Sequence, residues 1–285
     1  VHRRCSYLKL FSIINRGLFV FENVPGILSA KPGDGSVRII DLIQKAFADA
    51  GYAVLPDLSN AIIDMTEYGV PQNRKRIIIL GVSKEHYGDK AEAMVEKFYS
   101  SYLPEYKIEK KATVRDAIGD LPKLRPLDEP ISYLGRKLSH SVSDPLINGH
   151  ISRFHNKRDI ELFKFLEEDI ASGRMKYTSA KSLKTLYTKL TGKTSNVHKY
   201  YVLRWDEPSN LIPAHLFKDG LRHIHPDPEQ ARTITVREAA RLQTFPDNYY
   251  FNCSQTDAFK MIGNAVPPLF AKKVAYAIYH LIQEN

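Results

Sequence analysis

Four groups of residues in this chain have the types and spacing to do chemistry. In Leu18-Phe19-Val20-Phe21-Glu22-Asn23-Val24-Pro25-Gly26 an apolar run ends in a carboxylate, an amide and a Pro-Gly turn. A carboxyl at the tip of a buried strand faces a ligand or caps the next segment, and both readings are open. Arg74 and Arg76 stand two apart in the donor-rich stretch Tyr68–Arg76, so in an extended segment they share a face. Gly263-Asn264-Ala265-Val266-Pro267-Pro268 joins two helical patterns through a glycine, an amide and two prolines. Between Arg174 and Arg204 lie eight Lys or Arg and no Asp or Glu: Arg174, Lys176, Lys181, Lys184, Lys189, Lys193, Lys199 and Arg204. Tyr177, Tyr187, Tyr200, Tyr201 and Trp205 are interleaved with or adjoin these cations. That mixture suits a backbone being neutralised while bases or sugars pack on rings. The plainer alternative is a solvated basic face over core aromatics.

The elements that must position these groups follow from patterning. Leu18–Phe21 reads as a buried parallel strand, preceded over residues 4 to 15 by half a helical crossover. Val37, Ile40, Leu42, Ile43, Ala46 and Phe47 mark an amphipathic helix closed near Gly51. Strands are expected within 52–64 and over Arg76–Val82, then a helix over about 84–101. Pro104, Pro122, Pro126 and Pro130 punctuate a change of organisation near residue 103. Ile160, Leu162, Phe163, Leu166 and Ile170 have helical spacing. Thr235-Val236-Arg237-Glu238 has capping-box spacing and predicts a helix to about Phe245. Another helix starts at Ser254 and ends at Gly263, and Pro267-Pro268 opens a last one with Phe270, Val274, Ala277, Ile278 and Leu281 on one face.

Composition bounds the possibilities. A 43% apolar content over 285 residues builds a real core, and the net charge of +9 with a pI near 9.3 favours a polyanionic partner. No run approaches the roughly 18 to 20 apolar residues of a membrane helix, and no leader-like apolar segment opens the chain, so a cytoplasmic protein with no membrane partner is the expectation. Cys5 and Cys253 are too few and too isolated for a disulfide framework. Seven histidines lie between His140 and His225, including His223-x-His225, without ligand spacing, so no metal site is expected.

Taken together, these stretches resemble the DNA (cytosine-5) methyltransferases. Phe21-Glu22-Asn23-Val24 resembles the family's Glu-Asn-Val motif, and Gln72-Asn73-Arg74-Lys75-Arg76 its Gln-x-Arg-x-Arg motif. The stretch Arg232 to Asp247 is similar to the motif that follows the variable target-recognition region, and Gly263 to Pro268 to the last motif. All four stand in family order. The resemblance implies an α/β fold: an incomplete Rossmann-like, doubly wound S-adenosylmethionine-dependent methyltransferase sheet plus a smaller target-recognition domain. It divides the chain into 1–103 (C-terminal part of the catalytic domain), 104–230 (recognition domain) and 231–285 (anchor helix and returning helix).

In that family a Cys thiolate adds to C6 of a flipped cytosine, and C5 then attacks the cofactor's methyl group. By resemblance, Glu22 protonates or hydrogen-bonds N3 and accepts from the exocyclic amine, a task helped when a closed pocket raises a carboxyl's pKa. Arg76 holds the O2 side and Arg74 supports the site. Asn264, Ala265 and Val266 touch the cofactor, S-adenosyl-L-methionine, and Gln72 joins the eight basic residues in contacting double-stranded DNA. Arg237 and Arg241, four apart on one helical face, are read as structural.

The chain also departs from the pattern. The Phe-x-Gly-x-Gly cofactor loop and the Pro-Cys nucleophile loop are not in this sequence. Cys5, 17 residues before Glu22, falls in the crossover and is rejected as nucleophile, and Cys253 is read as a packing or surface thiol. The expectation is a fragment, a relic or one polypeptide of a split enzyme, inactive alone, whose complementary chain brings the Pro-Cys loop and completes the cofactor site. The rival is a non-catalytic DNA-binding or specificity subunit. A tRNA-directed relative is set aside because its Cys-Phe-Thr signature is lacking.

Overall fold

The computed structural model describes residues 17–33, 35, 37–218 and 220–284. The crossover helix expected over residues 4–15, and Cys5 with it, lie outside the described residues. Two compact units emerge: 1–68, 74–109 and 270–285 form the first, and 69–73 with 110–269 the second.

The first unit is built around one strand. It contains β1 (Leu18–Asn23), α1 (Ile39–Asp49), β2 (Tyr52–Ala53), β3 (Ile62–Asp64), β4 (Lys75–Ser83), α2 (Lys84–Tyr87) and α3 (Lys90–Lys97). Eight of the nine residues of β4 are buried, as an uninterrupted Ile/Leu/Val run demands. β1 lies along one edge of β4, and β2 and β3 share the other.

All of these pairings are antiparallel, which corrects the expected parallel setting of Leu18–Phe21. The apolar run is also not covered on both faces, since Val20 is 44% exposed while Phe19 is buried. A four-residue apolar run is compatible with either pairing, and only the partner strand decides. That partner is fitted closely: a Cβ on Gly81 of β4 would lie 2.1 Å from the Phe19 ring, whose other neighbours are Phe47 at 4.5 Å and Tyr52 at 4.9 Å.

α1 ends where Gly51 takes a φ of +79°. The single helix expected over 84–101 is interrupted at Gly88 (φ +54°) and closes in a π turn, Phe98–Tyr102. A glycine in a conformation closed to other residues resets the chain direction there.

The second unit contains α4 (Val114–Ile118), a hairpin of β5 (Pro126–Tyr133) and β6 (Arg136–His140), α5 (Lys157–Ala171), α6 (Ala180–Thr191), α7 (Val236–Leu242) and α8 (Gln255–Asn264). One apolar cluster gathers α4, α7 and α8 around Val114, Ile212, Ala239, Phe259 and Ile262. A second joins α5 and α6 through Phe163, Leu166, Leu183 and Leu186, with Tyr200 and Ile224.

The capping box expected at α7 is present, with Thr235 Oγ1 accepting from Glu238 N and Glu238 Oε2 accepting from Thr235 N at 2.7 Å. The helix stops at Leu242, three residues short of the expected Phe245, and Thr244 follows at φ +65°. The final helix, α9 (Pro268–Gln283), buries Phe270, Val274, Ala277 and Leu281. From Phe270 on it belongs to the first unit, where the Phe270 ring meets Tyr68 edge-on at 5.3 Å. No helix among the described residues is long and apolar enough to cross a membrane.

Candidate active site and nucleic-acid interface

The strand register brings the expected acid and base-holding arginine together. Glu22 pairs with Ile78 across the β1–β4 ladder, and Arg76 stands two residues before Ile78, on the same face and diagonal to Glu22. Arg76 Nε donates to Glu22 Oε1 at 2.9 Å, and Arg76 Nη1 donates to the Lys75 carbonyl at 2.8 Å. The Glu22 side chain keeps 28% of its exposure and Arg76 11%, so the pair is sheltered yet reachable.

Burial pulls the Arg76 guanidinium below its ordinary value, while the Glu22 carboxylate acts to raise it. Arg74, only 2% exposed, is pushed down to about 10, first by burial and then by the like charge of Arg76, with Glu22 opposing. It remains a cation at neutral pH. A carboxylate and two desolvated guanidiniums on one strand end make an array of acceptor and fixed donors suited to a planar, polar ligand edge.

Gln72 is fully buried within the second unit. Its Oε1 accepts from Ile212 N at 2.9 Å, and its Nε2 donates to Gln243 Oε1 at 2.5 Å. Gln243 Nε2 in turn donates to the Ala265 carbonyl at 2.6 Å. Three separated motifs are therefore tied by one directional chain of buried amides, and a carboxamide that supplies both a donor and an acceptor is the residue type this needs. Gln243 was missed in the sequence because nothing in its spacing marks a buried tie. Its place inside the Arg232–Asp247 motif was the available signal.

Asn264 lies at the exposed C-terminal end of α8, where Ala265 N donates to the Met261 carbonyl at 3.1 Å. The helix thus ends one residue beyond Gly263, which corrects the expected glycine terminator. Gly263 sits inside α8 because a Cβ there would lie 2.4 Å from Pro213 C and Ala214 N. Both backbone polar groups of Ala265 are committed within the protein, so this segment offers a cofactor the Asn264 side chain and the half-buried Val266.

The basic run divides by environment. α6 runs from Ser179, whose Oγ caps Ser182 N, to Gly192 in the left-handed conformation, and it buries Leu183 and Leu186. Lys181 and Lys189 are exposed on the opposite face with Lys184 half-buried, and Arg174, Lys176 and Lys193 are exposed in the flanking turns. Lys199 is half-buried. Arg204 is partly spent internally, donating to the Val202 carbonyl and lying 5.3 Å over the Tyr201 ring.

The interleaved aromatics are part of the apolar clusters. Tyr200 is buried against Tyr187, Tyr177 and Tyr201 pack on the same cluster, and Trp205 stands edge-on to His225 at 5.4 Å. Tyr200 is thus taken up by the small α5–α6 core, while Tyr177, Tyr187, Tyr201 and Trp205 stay half-buried at the edges of the two clusters.

The remaining conspicuous polar residues hold the second unit together. Arg232 and Glu238 form a wholly buried bidentate pair at 2.6 and 2.7 Å, and Arg232 also donates to Gln230 Oε1. Arg237 donates to the carbonyls of Asn148, Pro246 and Tyr249, and Arg241 pairs with Asp247 and Asp120. His140, His155 and His225 are buried and pushed down to about 4, 3 and 3, chiefly by desolvation. Cys253 is exposed.

Comparison with known proteins extends these observations. The family model of C-5 cytosine-specific DNA methylases matches residues 6–280. The type II methyltransferase M.Bpa9945I of Bacillus paralicheniformis is 35% identical over 288 residues, covering 93% of this chain and 60% of its own length. M.AgeI of Thalassovita gelatinovora is 30% identical, covering 91% of this chain and 72% of its own. The chain thus spans about three fifths of the first of these relatives. A solved structure described as a DNA modification methyltransferase encoded within an E. coli prophage shares the fold with a TM-score of 0.57 at 24% identity, covering 99% of this chain and 75% of that one. The S. pombe Dnmt2 methyltransferase does so with a TM-score of 0.50 at 14% identity, covering 99% and 72%. With its motifs in order and its residues 6–280 matched by that family model, the chain belongs to the C-5 cytosine-specific DNA methylases.

Proposed function

We propose that this chain binds duplex DNA and presents the base-holding half of a cytosine-5 methylation site. The observation that carries the reading is the Glu22–Arg76 pair at 2.9 Å on neighbouring strands, backed by buried Arg74. A cytosine offers an amine donor, a ring nitrogen and a carbonyl acceptor along one edge. Glu22 meets the amine and N3, supplying a proton or hydrogen bond there as C6 is attacked, and Arg76 meets O2. The existing ion pair loosens as the base takes its place, with buried Arg74 keeping a fixed positive charge beside the site. S-adenosylmethionine, when bound, supplies the methyl group, and Asn264 and Val266 border it.

The thiolate that attacks C6 lies outside these 285 residues, since no Pro-Cys pair occurs in them. It comes from another segment of the polypeptide or from a complementary chain. The alternative, a non-catalytic specificity subunit, is favoured by the exposed lysine face of α6, which needs no chemistry to bind DNA.

The test is methyl transfer from labelled cofactor into duplex DNA. The chain alone should transfer nothing, and adding the Pro-Cys half of a related enzyme should restore transfer that Glu22→Gln abolishes. Transfer by the chain alone overturns the division of labour. Failure of every complementing half, with DNA binding intact, favours the specificity subunit. If the basic run meets about six phosphates, log affinity should fall against log salt with a slope near −5.

A further inference from the structure

The β5–β6 hairpin turns at Leu134 and Gly135, with Tyr133 paired to Arg136. Both central residues have positive φ, 48° for Leu134 and 72° for Gly135, as in the tight turn that Asn-Gly normally makes. A leucine there bears a backbone cost that Asn or Gly does not. Its side chain buries little within the chain in return: at 77% it is more exposed than any other large apolar side chain among the described residues. A single exposed leucine needs no explanation, whereas one held at positive φ on a turn tip does.

The residues beside it indicate what it meets. Arg136 and Lys137 are exposed next to the tip, Lys137 Nζ lying 4.9 Å over the Phe154 ring. The acidic residues of the hairpin, Asp128 and Glu129, stand at its other end, where Glu129 is paired with Lys157 at 3.2 Å. The tip is thus apolar at its point and cationic at its shoulders. Apolar side chains that enter a base step between two phosphate-contacting residues have this makeup.

We propose that Leu134 is a wedge with which this hairpin enters a base step of duplex DNA, Arg136 and Lys137 holding the flanking phosphates. The inference rests on the DNA-binding reading above and adds an element that the basic run does not contain. Insertion buries the leucine against base faces, so its loss should weaken binding about tenfold or more.

Leu134→Asn is the discriminating variant, because it relieves the turn while removing the wedge. The whole chain is titrated against duplexes selected from a random pool for binding, with 2-aminopurine moved through the bound site. The expected result is a melting temperature equal to or above that of the parent, an affinity about tenfold lower, and loss of the fluorescence rise that reports unstacking. Leu134→Met should keep affinity and fluorescence, and Arg136→Gln with Lys137→Gln should flatten the salt slope by about 2. Unchanged affinity and fluorescence in Leu134→Asn overturn the wedge while leaving the DNA reading standing. No binding of any duplex by the parent chain overturns both.

Discussion

Replacing Glu238 by Gln should destabilise the second unit more than any other single conservative change. Both side chains of the Glu238–Arg232 pair are buried to within 1% of full coverage, and the carboxylate accepts two bonds from the guanidinium at 2.6 and 2.7 Å and one from Thr235 N at 2.7 Å. The amide keeps an acceptor for the helix cap but leaves a guanidinium charge with no counter-charge, a change that costs about 3–5 kcal/mol. Glu238→Ala loses the cap acceptor as well, for about 1 kcal/mol more. Arg232→Met combined with Glu238→Leu removes both charges and should recover most of the loss. Urea unfolding followed by tryptophan fluorescence reads the effect through Trp205, which stands 5.4 Å from His225 in the same region. A loss below about 1 kcal/mol for Glu238→Gln, or a double variant no better than the single, would refute the argument that charge burial dominates here.

Other consequences follow from the same geometry. Glu167 is buried on α5 and held well above the ordinary carboxyl value by desolvation, so its contribution is fully present below the unfolded value near 4.3 and is lost as pH rises toward the folded one. Glu167→Gln should therefore match the parent near pH 4 and exceed it increasingly above, by up to about 1.4 kcal/mol per pH unit in that window, as chemical denaturation at several pH values would read. His140, His155 and His225 have folded values of about 4, 3 and 3, below the unfolded value near 6.5, so acid should destabilise the second unit progressively as pH falls below about 6. Histidine-to-glutamine changes at these sites, followed by acid titration with circular dichroism, should shift that onset. Gly263→Ala places a Cβ 2.4 Å from the Pro213–Ala214 backbone and should cost about 1–3 kcal/mol in thermal or urea unfolding. Glu22→Gln should change stability by no more than about 1 kcal/mol, because its partner contact is partly exposed, while abolishing methyl transfer in a complemented enzyme.

The sequence alone carried whatever is set by neighbours along the chain. The Thr235–Glu238 capping box, the Ser254 cap, the apolar stripe of α9 and the buried run of β4 were legible because each depends on residues within a few positions of one another. Family membership was legible for a related reason: four short motifs in fixed order carry it, whatever the chain between them does. Tertiary structure decided the rest. The antiparallel setting of β1 came from its partner strand, since an apolar run does not encode the direction of its neighbour. Gln72 joined Gln243 across 171 positions, and burial turned a residue whose motif points to DNA into a structural tie. Of the tyrosines of the basic run, Tyr200 went to the core and Tyr177, Tyr187 and Tyr201 pack half-buried against it, because a two-helix subdomain has little aliphatic surface of its own. Glu22 and Arg76 lie between these cases. Their residue types were set by motif, but the 2.9 Å contact exists because the β1–β4 register places residues 22 and 78 opposite each other, and a one-residue slip would send Glu22 to the other face.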